Sequence, residues 1–163
     1  SVEIATTLTN QGINYNTMGK YEDADQCYTE ALLLHRKTSQ GSTSVEIART
    51  LANQGVTYNA MGRNEDADHR YTEALAIYSR LSEDAYCVDI AKSLSYQGEN
   101  YIAMGQYKDA NQSCTEALAL YRKHPEIATS VDIANILNDQ GIFHNAMGKY
   151  EDADQSYTEA IIL

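Results

Sequence analysis

The chain of 163 residues contains four copies of one segment at a constant spacing of 43 residues. The first copy reads LTNQGINYNTMGKYEDA, and the copies begin at Leu8, Leu51, Leu94 and Leu137 without an intervening insertion or deletion. A fixed period between about 20 and 50 residues is typical of solenoids and repeat arrays. We therefore expect one array over residues 1–163, with repeats at 1–43, 44–86, 87–129 and, cut short, 130–163.

Each repeat has the apolar spacing of two helices joined by a tight turn. In the first repeat Ala5, Leu8, Gly12 and Tyr15 follow the three-to-four-residue rhythm of a helix, and the rhythm resumes after Gly19. No segment alternates with the period of two that a strand requires. We name the two helices of each repeat A and B, and we expect loops near residues 38–43, 81–86 and 124–129.

The ends of these helices carry recognisable capping residues. Glycines preferred at a helix C-terminus stand at the expected end of each A helix: Gly19, Gly62, Gly105 and Gly148. The pairs Thr43 with Glu46 and Thr129 with Asp132 have the spacing of a capping box. Acidic pairs such as Glu22 and Asp23 fall in the first turn of helix B, where the helix dipole favours them.

Composition excludes several classes of function. The chain is 43% hydrophobic and 21% charged, which is normal for a folded domain. Its net charge of −11 opposes nucleic-acid binding, since phosphate contacts require clustered Lys and Arg. No apolar run approaches the roughly 20 residues of a membrane span, and no signal-peptide pattern is present. We expect a cytoplasmic location without membrane or nucleic-acid partners.

The repeated positions resemble the tetratricopeptide repeat family over essentially the whole chain. The matching residues of the first repeat are Gly12, Tyr15, Gly19, Tyr21, Ala24, Tyr28 and Ala31. With VEIATTLTNQG leading helix A and YTEALLLHRK in helix B, these long units look most like the repeats of kinesin light chains. Because the chain begins without methionine and stops inside a helix, we interpret it as a fragment of a longer array.

The resemblance implies an all-α solenoid of antiparallel helix pairs that forms a right-handed superhelix. In this family the A helices line a concave groove that holds a peptide or a partner protein. The positions that the resemblance assigns to the groove are Thr6, Asn10, Ile13, Asn16, Arg49, Asn53, Val56, Asn59, Lys92, Tyr96, Glu99, Asn135, Asn138, Asp139 and Asn145, with Ile142 as a further apolar contact. Asparagine both donates and accepts hydrogen bonds, so rows of it suit the backbone of a peptide; the alternative is that these asparagines are solvated polar positions.

The recurring Gln-Gly pair in helix A has two separate explanations. Glycine inside a helix costs about 1 kcal/mol relative to alanine, and we expect a close approach of two helix backbones at Gly12 to offset that cost. The residue before it is usually apolar in the family, yet here it is glutamine: Gln11, Gln54, Gln97 and Gln140. A buried amide needs partners, and we expect a tyrosine hydroxyl in the same layer to be one, with a ligand contact as the alternative.

Catalysis, cofactors and metal ions are disfavoured by the repeat register. The three cysteines and four histidines fall at non-equivalent positions, and none has the spacing of a zinc site. Cys27 aligns with Arg70, Ser113 and Ser156, so we expect it to be exposed. The paired carboxylates recur in the first, second and fourth repeats, and no phosphate-binding glycine motif is present. We therefore expect a protein that is not an enzyme and carries no cofactor or metal.

The partner remains open among three alternatives. The first is a protein or peptide in the groove, with an acidic side chain near Arg49 and Lys92; a clamp for a C-terminal carboxylate is rejected because Thr9, Ile13 and Tyr96 break its pattern. The second is a structural spacer that self-associates end to end through Ile161, Ile162 and Leu163, since a solenoid end normally requires a polar cap. The third is a regulatory array of a larger multidomain protein.

Overall fold

A computed structural model describes residues 1–38, 44–126 and 128–163 of the chain. Within these residues the secondary structure is helical, without strands. Eight helices are present there: α1 (Val2–Thr17), α2 (Tyr21–Lys37), α3 (Ser44–Ala60), α4 (Asn64–Tyr78), α5 (Glu83–Ala103), α6 (Tyr107–Lys123), α7 (Ser130–Ala146) and α8 (Tyr150–Ile162). The predicted all-α architecture of consecutive helix pairs is confirmed.

The chain divides into two compact units. Unit 1, Ser1–Ser82, contains the pair α1 and α2 followed by the pair α3 and α4. Within unit 1, α2 also packs against α3, and the two A helices α1 and α3 contact each other. Unit 2, Glu83–Leu163, repeats this arrangement with α5 and α6, α7 and α8, and the contacts α6–α7 and α5–α7.

Helix α5 begins earlier than the sequence predicts. A loop was expected over residues 81–86, whereas the helix runs from Glu83 with Tyr86 as its one non-helical residue (φ −123°, ψ 18°). Lys123 at the end of α6 contacts this extra turn, with its Nζ 2.8 Å from Glu83 Oε1 and 3.3 Å from Asp84 Oδ1. The non-helical Tyr86 separates the extra turn from the rest of α5.

The turns between A and B helices use a left-handed glycine, as the sequence predicts. Gly19 has φ +72°, and the other three turn glycines adopt nearly the same value. This geometry lets the Lys20 N–H donate to the Tyr15 carbonyl at 2.9 Å and the Gly19 N–H to the Asn16 carbonyl at 3.0 Å. These two bonds form a Schellman motif, which ends the helix and reverses the chain within three residues.

The glycines inside the A helices make room for a side chain of helix B. A Cβ placed on Gly12 would lie 2.6 Å from Tyr28 Cε1, and one on Gly55 would lie 2.7 Å from Tyr71 Cε1. The structure therefore supports the expected close packing at Gly12. The neighbour is an aromatic ring, however, and not the backbone-to-backbone approach by which the sequence argument explained it.

The capping box predicted at the start of α7 is present. Thr129 Oγ1 accepts from the Asp132 N–H at 3.1 Å, and Asp132 Oδ2 accepts from the Thr129 N–H at 3.3 Å. The corresponding prediction for Thr43 lies outside the described residues, as does most of the loop expected at 38–43.

Candidate functional site

A cavity of about 200 Å³ lies within unit 1, between the A helices α1 and α3 and above the end of α2. We call it the unit 1 cavity. Five residues that the sequence assigned to the groove line it: Thr6, Asn10, Ile13, Arg49 and Asn53. Thr9, whose position in helix A the resemblance also places on the concave side, lines it as well, and three further lining residues were not predicted: His35, Glu46 and Thr50. The structure thus brings together predicted positions that are separated by one repeat in the sequence.

A pair of buried threonines sets the distance between the two walls of this cavity. Thr9 Oγ1 and Thr50 Oγ1 lie 3.0 Å apart, and both side chains are buried. Each hydroxyl also lies within hydrogen-bonding distance of a carbonyl of its own helix, Thr9 to Ala5 at 3.1 Å and Thr50 to Glu46 at 2.7 Å. Both hydroxyls are therefore engaged in hydrogen bonds within the protein, and their contact with each other joins α1 to α3.

His35 forms the floor of the unit 1 cavity. It is only 1% exposed, and within the described part of the chain neither ring nitrogen has a hydrogen-bond partner. Glu46 Oε2 is likewise buried without a partner among those residues. Burial lowers the pKa of His35, and the nearby Glu46 carboxylate opposes this change. An unsatisfied buried group costs about 1–3 kcal/mol, so the cavity contains unused hydrogen-bonding capacity.

Unit 2 contains a smaller cavity of about 60 Å³ at the equivalent place between α5 and α7. We call it the unit 2 cavity. Four predicted groove residues line it: Lys92, Tyr96, Glu99 and Asn135. Three others complete the lining: Ser95, Tyr121 and Asp132. Predicted groove positions therefore gather around a cavity in both units.

Asp139, also assigned to the groove, is buried in unit 2. It is 8% exposed, and its Oδ2 has no hydrogen-bond partner among the described residues. Burial, with a smaller contribution from the Glu99 carboxylate, raises the pKa of Asp139 to about 7. Glu99 remains open to solvent, yet the atoms packed around it also raise its pKa by desolvation. The pKa of Asp139 therefore lies near neutral pH, and the pKa of Glu99 is raised as well.

The remaining predicted groove residues line neither cavity. Asn16 Oδ1 accepts a hydrogen bond from Thr57 Oγ1 at 2.9 Å, which uses part of this side chain to join α1 to α3. Val56 and Asn59 are half-buried on α3. Asn138 and Asn145 are exposed on α7, as is Ile142. The row of asparagines expected along the groove is thus partly consumed by contacts within the protein.

The glutamines before the packing glycines have different partners. Gln11 is exposed and not buried as expected, and its Nε2 donates to the Tyr15 hydroxyl, the predicted partner, at 3.3 Å. Gln54 is buried and donates instead to Asp25 Oδ1 at 2.6 Å and Thr29 Oγ1 at 3.2 Å. The expectation of a tyrosine partner is therefore wrong for Gln54, because α2 of the preceding repeat presents a carboxylate to it.

The expected exposure of Cys27 is also wrong. Cys27 is 8% exposed, and Ser113 and Ser156 at the same repeat position are buried as well. The position therefore holds a small buried side chain in three repeats, and in the second repeat Arg70 is half-buried there. In the described residues no group of three potential ligands is placed to hold a metal ion, and no helix combines the length and apolar content needed to cross a membrane.

Sequence reasoning missed His35 and Glu46. The signal for His35 was present, since tyrosine occupies the same position in the next two repeats, at Tyr78 and Tyr121. Glu46 was interpreted as part of a helix cap, and the sequence does not reveal that its carboxylate lies beside His35.

Comparisons with known proteins agree with this architecture. Residues 3–80 match the model of the tetratricopeptide repeat family. The crystal structure of BtubC (BKLC) from P. vanneervenii superposes with a TM-score of 0.85 and 19% identity, covering 96% of this chain and 61% of that protein. The crystal structure of MamA superposes with a TM-score of 0.69 and 16% identity, covering 96% of this chain and 76% of MamA. No curated protein sequence matches the chain.

These likenesses show the fold, and at such identities they carry nothing further about function. This chain spans about three fifths of the length of BtubC. The resemblance to the longer repeats of kinesin light chains stays a prediction.

Proposed function

We propose that this chain, in which residues 3–80 match the model of the tetratricopeptide repeat family, is a scaffold that binds a peptide or partner protein along the surface of its A helices. Repeats of this family generally mediate interactions between proteins. The four repeats would act as one array, and catalysis has no part in this proposal. A cytoplasmic location and a place in a larger regulatory protein stay predictions.

One observation carries the proposal: the unit 1 cavity opens between two A helices and is lined by five of the residues expected to contact a ligand. Exposed apolar atoms of Ile13 lie beside the polar side chains of Asn10 and Asn53. A concave site with apolar contact and a few polar groups that fix orientation is typical of ligand recognition.

The charge around the cavity supports a partner that is not strongly charged. Glu46 and Arg49 both line it and have opposite signs. The acidic side chain expected near Arg49 and Lys92 is therefore a weaker proposal than a peptide held through its backbone and neutral side chains. Asparagine amides on the cavity wall are suited to this, because each both donates and accepts.

The test is a binding measurement with a peptide selected from a random displayed library against the wild-type protein. The double variant Asn53→Ala, Lys92→Ala is expected to weaken binding of that peptide at least tenfold. The matched control, Asn111→Ala with Lys108→Ala, removes the same two residue types from exposed positions of the B helix α6. Equal affinities of the two double variants would contradict the proposal.

A second candidate function is self-association through α8. Its last residues are apolar and strongly exposed, with Ile161 at 84% and Ile162 at 78%. Contiguous exposed apolar surface favours contact with another protein surface. Self-association is supported by this exposure alone, whereas the A-helix surface is supported by a shaped cavity and by buried polar groups, so we favour the scaffold proposal.

A further inference from the structure

The unit 1 and unit 2 cavities are the same site in two versions. Seven lining positions correspond at a separation of 86 residues: Thr6 with Lys92, Thr9 with Ser95, Asn10 with Tyr96, Ile13 with Glu99, His35 with Tyr121, Glu46 with Asp132, and Arg49 with Asn135. The first has a volume of about 200 Å³ and the second about 60 Å³. Each unit therefore provides a built-in comparison for the other.

Two of these pairs place a larger side chain at the unit 2 cavity. Tyr121 is 1% exposed and occupies the floor of the unit 2 cavity, where unit 1 has the smaller ring of His35. Tyr96 stands on the wall, where unit 1 has the short side chain of Asn10. Both tyrosines add atoms at the cavity, so unit 2 is largely filled and unit 1 is open.

The unit 1 cavity also has buried polar atoms without hydrogen-bond partners. In unit 1 both nitrogens of the buried His35 and one oxygen of Glu46 lack partners within the described residues. Buried polar groups in proteins are almost always paired. The open volume directly above them allows a guest group to provide the missing bonds.

The chemistry of the lining identifies the guest. Burial lowers the pKa of His35, so near neutral pH its ring is neutral and offers one N–H donor and one acceptor. Glu46 adds an acceptor, and Asn10 and Asn53 offer both functions. The opposite charges of Glu46 and Arg49 leave little net preference for an ionic group. A guest that both donates and accepts without a charge matches this set.

The size of the cavity limits the guest to one side chain. Pockets that enclose a drug-sized ligand have volumes of about 300–1,000 Å³, and the unit 1 cavity is smaller. Ile13 provides an apolar surface for methylene groups. We propose that the unit 1 cavity is a subsite for the carboxamide side chain of a glutamine or asparagine in the bound peptide. This subsite rests on the proposed peptide-binding function and adds a preference for one class of side chain.

The test uses propionamide as a mimic of that side chain, with propylammonium and propionate as charged mimics of similar size. Binding is followed by the NMR resonances of the His35 ring, assigned by their loss in His35→Tyr. Propionamide is expected to shift these resonances at least fivefold more than either charged mimic at equal concentration. A larger response to propylammonium or propionate would overturn the assignment to a carboxamide, and no response to any of the three would overturn the subsite.

Two variants test whether the propionamide-induced shift of the His35 resonances arises from binding in the unit 1 cavity. Asn10→Tyr reproduces the residue at Tyr96, keeps the His35 reporter and is expected to abolish the propionamide shift. The double variant Tyr96→Asn, Tyr121→His opens the unit 2 cavity, and the new histidine ring is expected to respond to propionamide. An undiminished shift in Asn10→Tyr would place binding elsewhere and overturn the proposal.

Failure of the subsite and failure of the proposed function give different results. If propionamide does not bind but the selected peptide is lost in Asn53→Ala, Lys92→Ala, the peptide-binding surface stands and the carboxamide subsite is wrong. If propionamide binds at His35 but the peptide is unaffected by that double variant, the subsite stands and the wider peptide-binding proposal is wrong.

Discussion

Replacing Gly98 with alanine tests the role of the glycines inside the A helices. A Cβ at this position would lie 2.7 Å from Cys114 Sγ, while the next nearest atoms, Ala110 O and Cys114 N, are at the ordinary distance of 3.7 Å. Cys114 is fully buried, so its sulfur has little room to move. One sulfur atom is therefore the whole obstruction, and Cys114→Ala removes it.

The expected free energies follow from two opposing effects. Forcing one extra carbon into a packed core costs about 1–3 kcal/mol, while Gly to Ala in a helix gains about 1 kcal/mol. In the wild-type background Gly98→Ala is thus expected to destabilise unit 2 by about 0–2 kcal/mol from these two values. In the Cys114→Ala background only the gain remains, so the substitution is expected to stabilise by about 1 kcal/mol.

The measurement is urea unfolding of the four proteins in this cycle, followed by helical circular dichroism at constant m-value. The difference between the two effects of Gly98→Ala gives a coupling of about 1–3 kcal/mol. Gly105→Ala is the matched control: no atom lies within 4 Å of its added Cβ, and its cost of about 1–2 kcal/mol comes from the left-handed φ of +72°. That cost is expected to be equal in both backgrounds. A Gly98–Cys114 coupling below about 0.5 kcal/mol, the usual error of additivity, would refute the steric explanation.

Three further predictions concern the ends and the acidic residues of the chain. The pKa of about 7 for Asp139, raised from 3.8, means that the folded state binds an extra proton between about pH 4 and 7, so stability falls as pH rises through this window. Asp139→Asn is expected to reduce this fall in urea unfolding at a series of pH values, and an unchanged pH profile would contradict the prediction. Thr129→Ala removes the capping box of α7 and is expected to cost about 1 kcal/mol in thermal unfolding, unlike Thr158→Ala in an exposed part of α8. Ile161→Ser with Ile162→Ser is expected to reduce concentration-dependent association in light scattering, and a wild-type chain that stays monomeric at high concentration would contradict the second candidate function.

Features that depend on residues close in sequence were predictable. The turn at Gly19 and the cap at Thr129 each involve a few consecutive residues whose identities directly favour one backbone geometry. The packing of Gly12 against helix B was also predictable, because four glycines at one helical position need a common steric reason. What the sequence could not provide was the atom that fills the space, an aromatic ring of Tyr28 in the first repeat and the sulfur of Cys114 in the third.

Side-chain partners across the repeat interface were less predictable. Gln54 bonds Asp25 and Thr29, which precede it by 29 and 25 residues. A tyrosine hydroxyl was an equally reasonable partner from the pattern alone, and Gln11 does use one. The hydrogen-bond partner of each glutamine depends on which B helix packs against it. The sequence pattern of one repeat does not specify that packing.

The candidate site shows how a repeat scaffold can change recognition without changing its fold. In each repeat the fold depends on the contact between the glycine inside helix A and a side chain of helix B. That contact is present in both units, at Gly12, Gly55 and Gly98. The unit 1 cavity depends instead on His35 and Asn10, positions where tyrosine is tolerated in unit 2. Because each tyrosine is accommodated by the same helix pair, the exchange alters cavity volume and hydrogen-bonding capacity with the surrounding helices retained. Recognition in this array is therefore expected to differ from repeat to repeat, with the polar, open site confined to unit 1 and the filled, acidic site to unit 2.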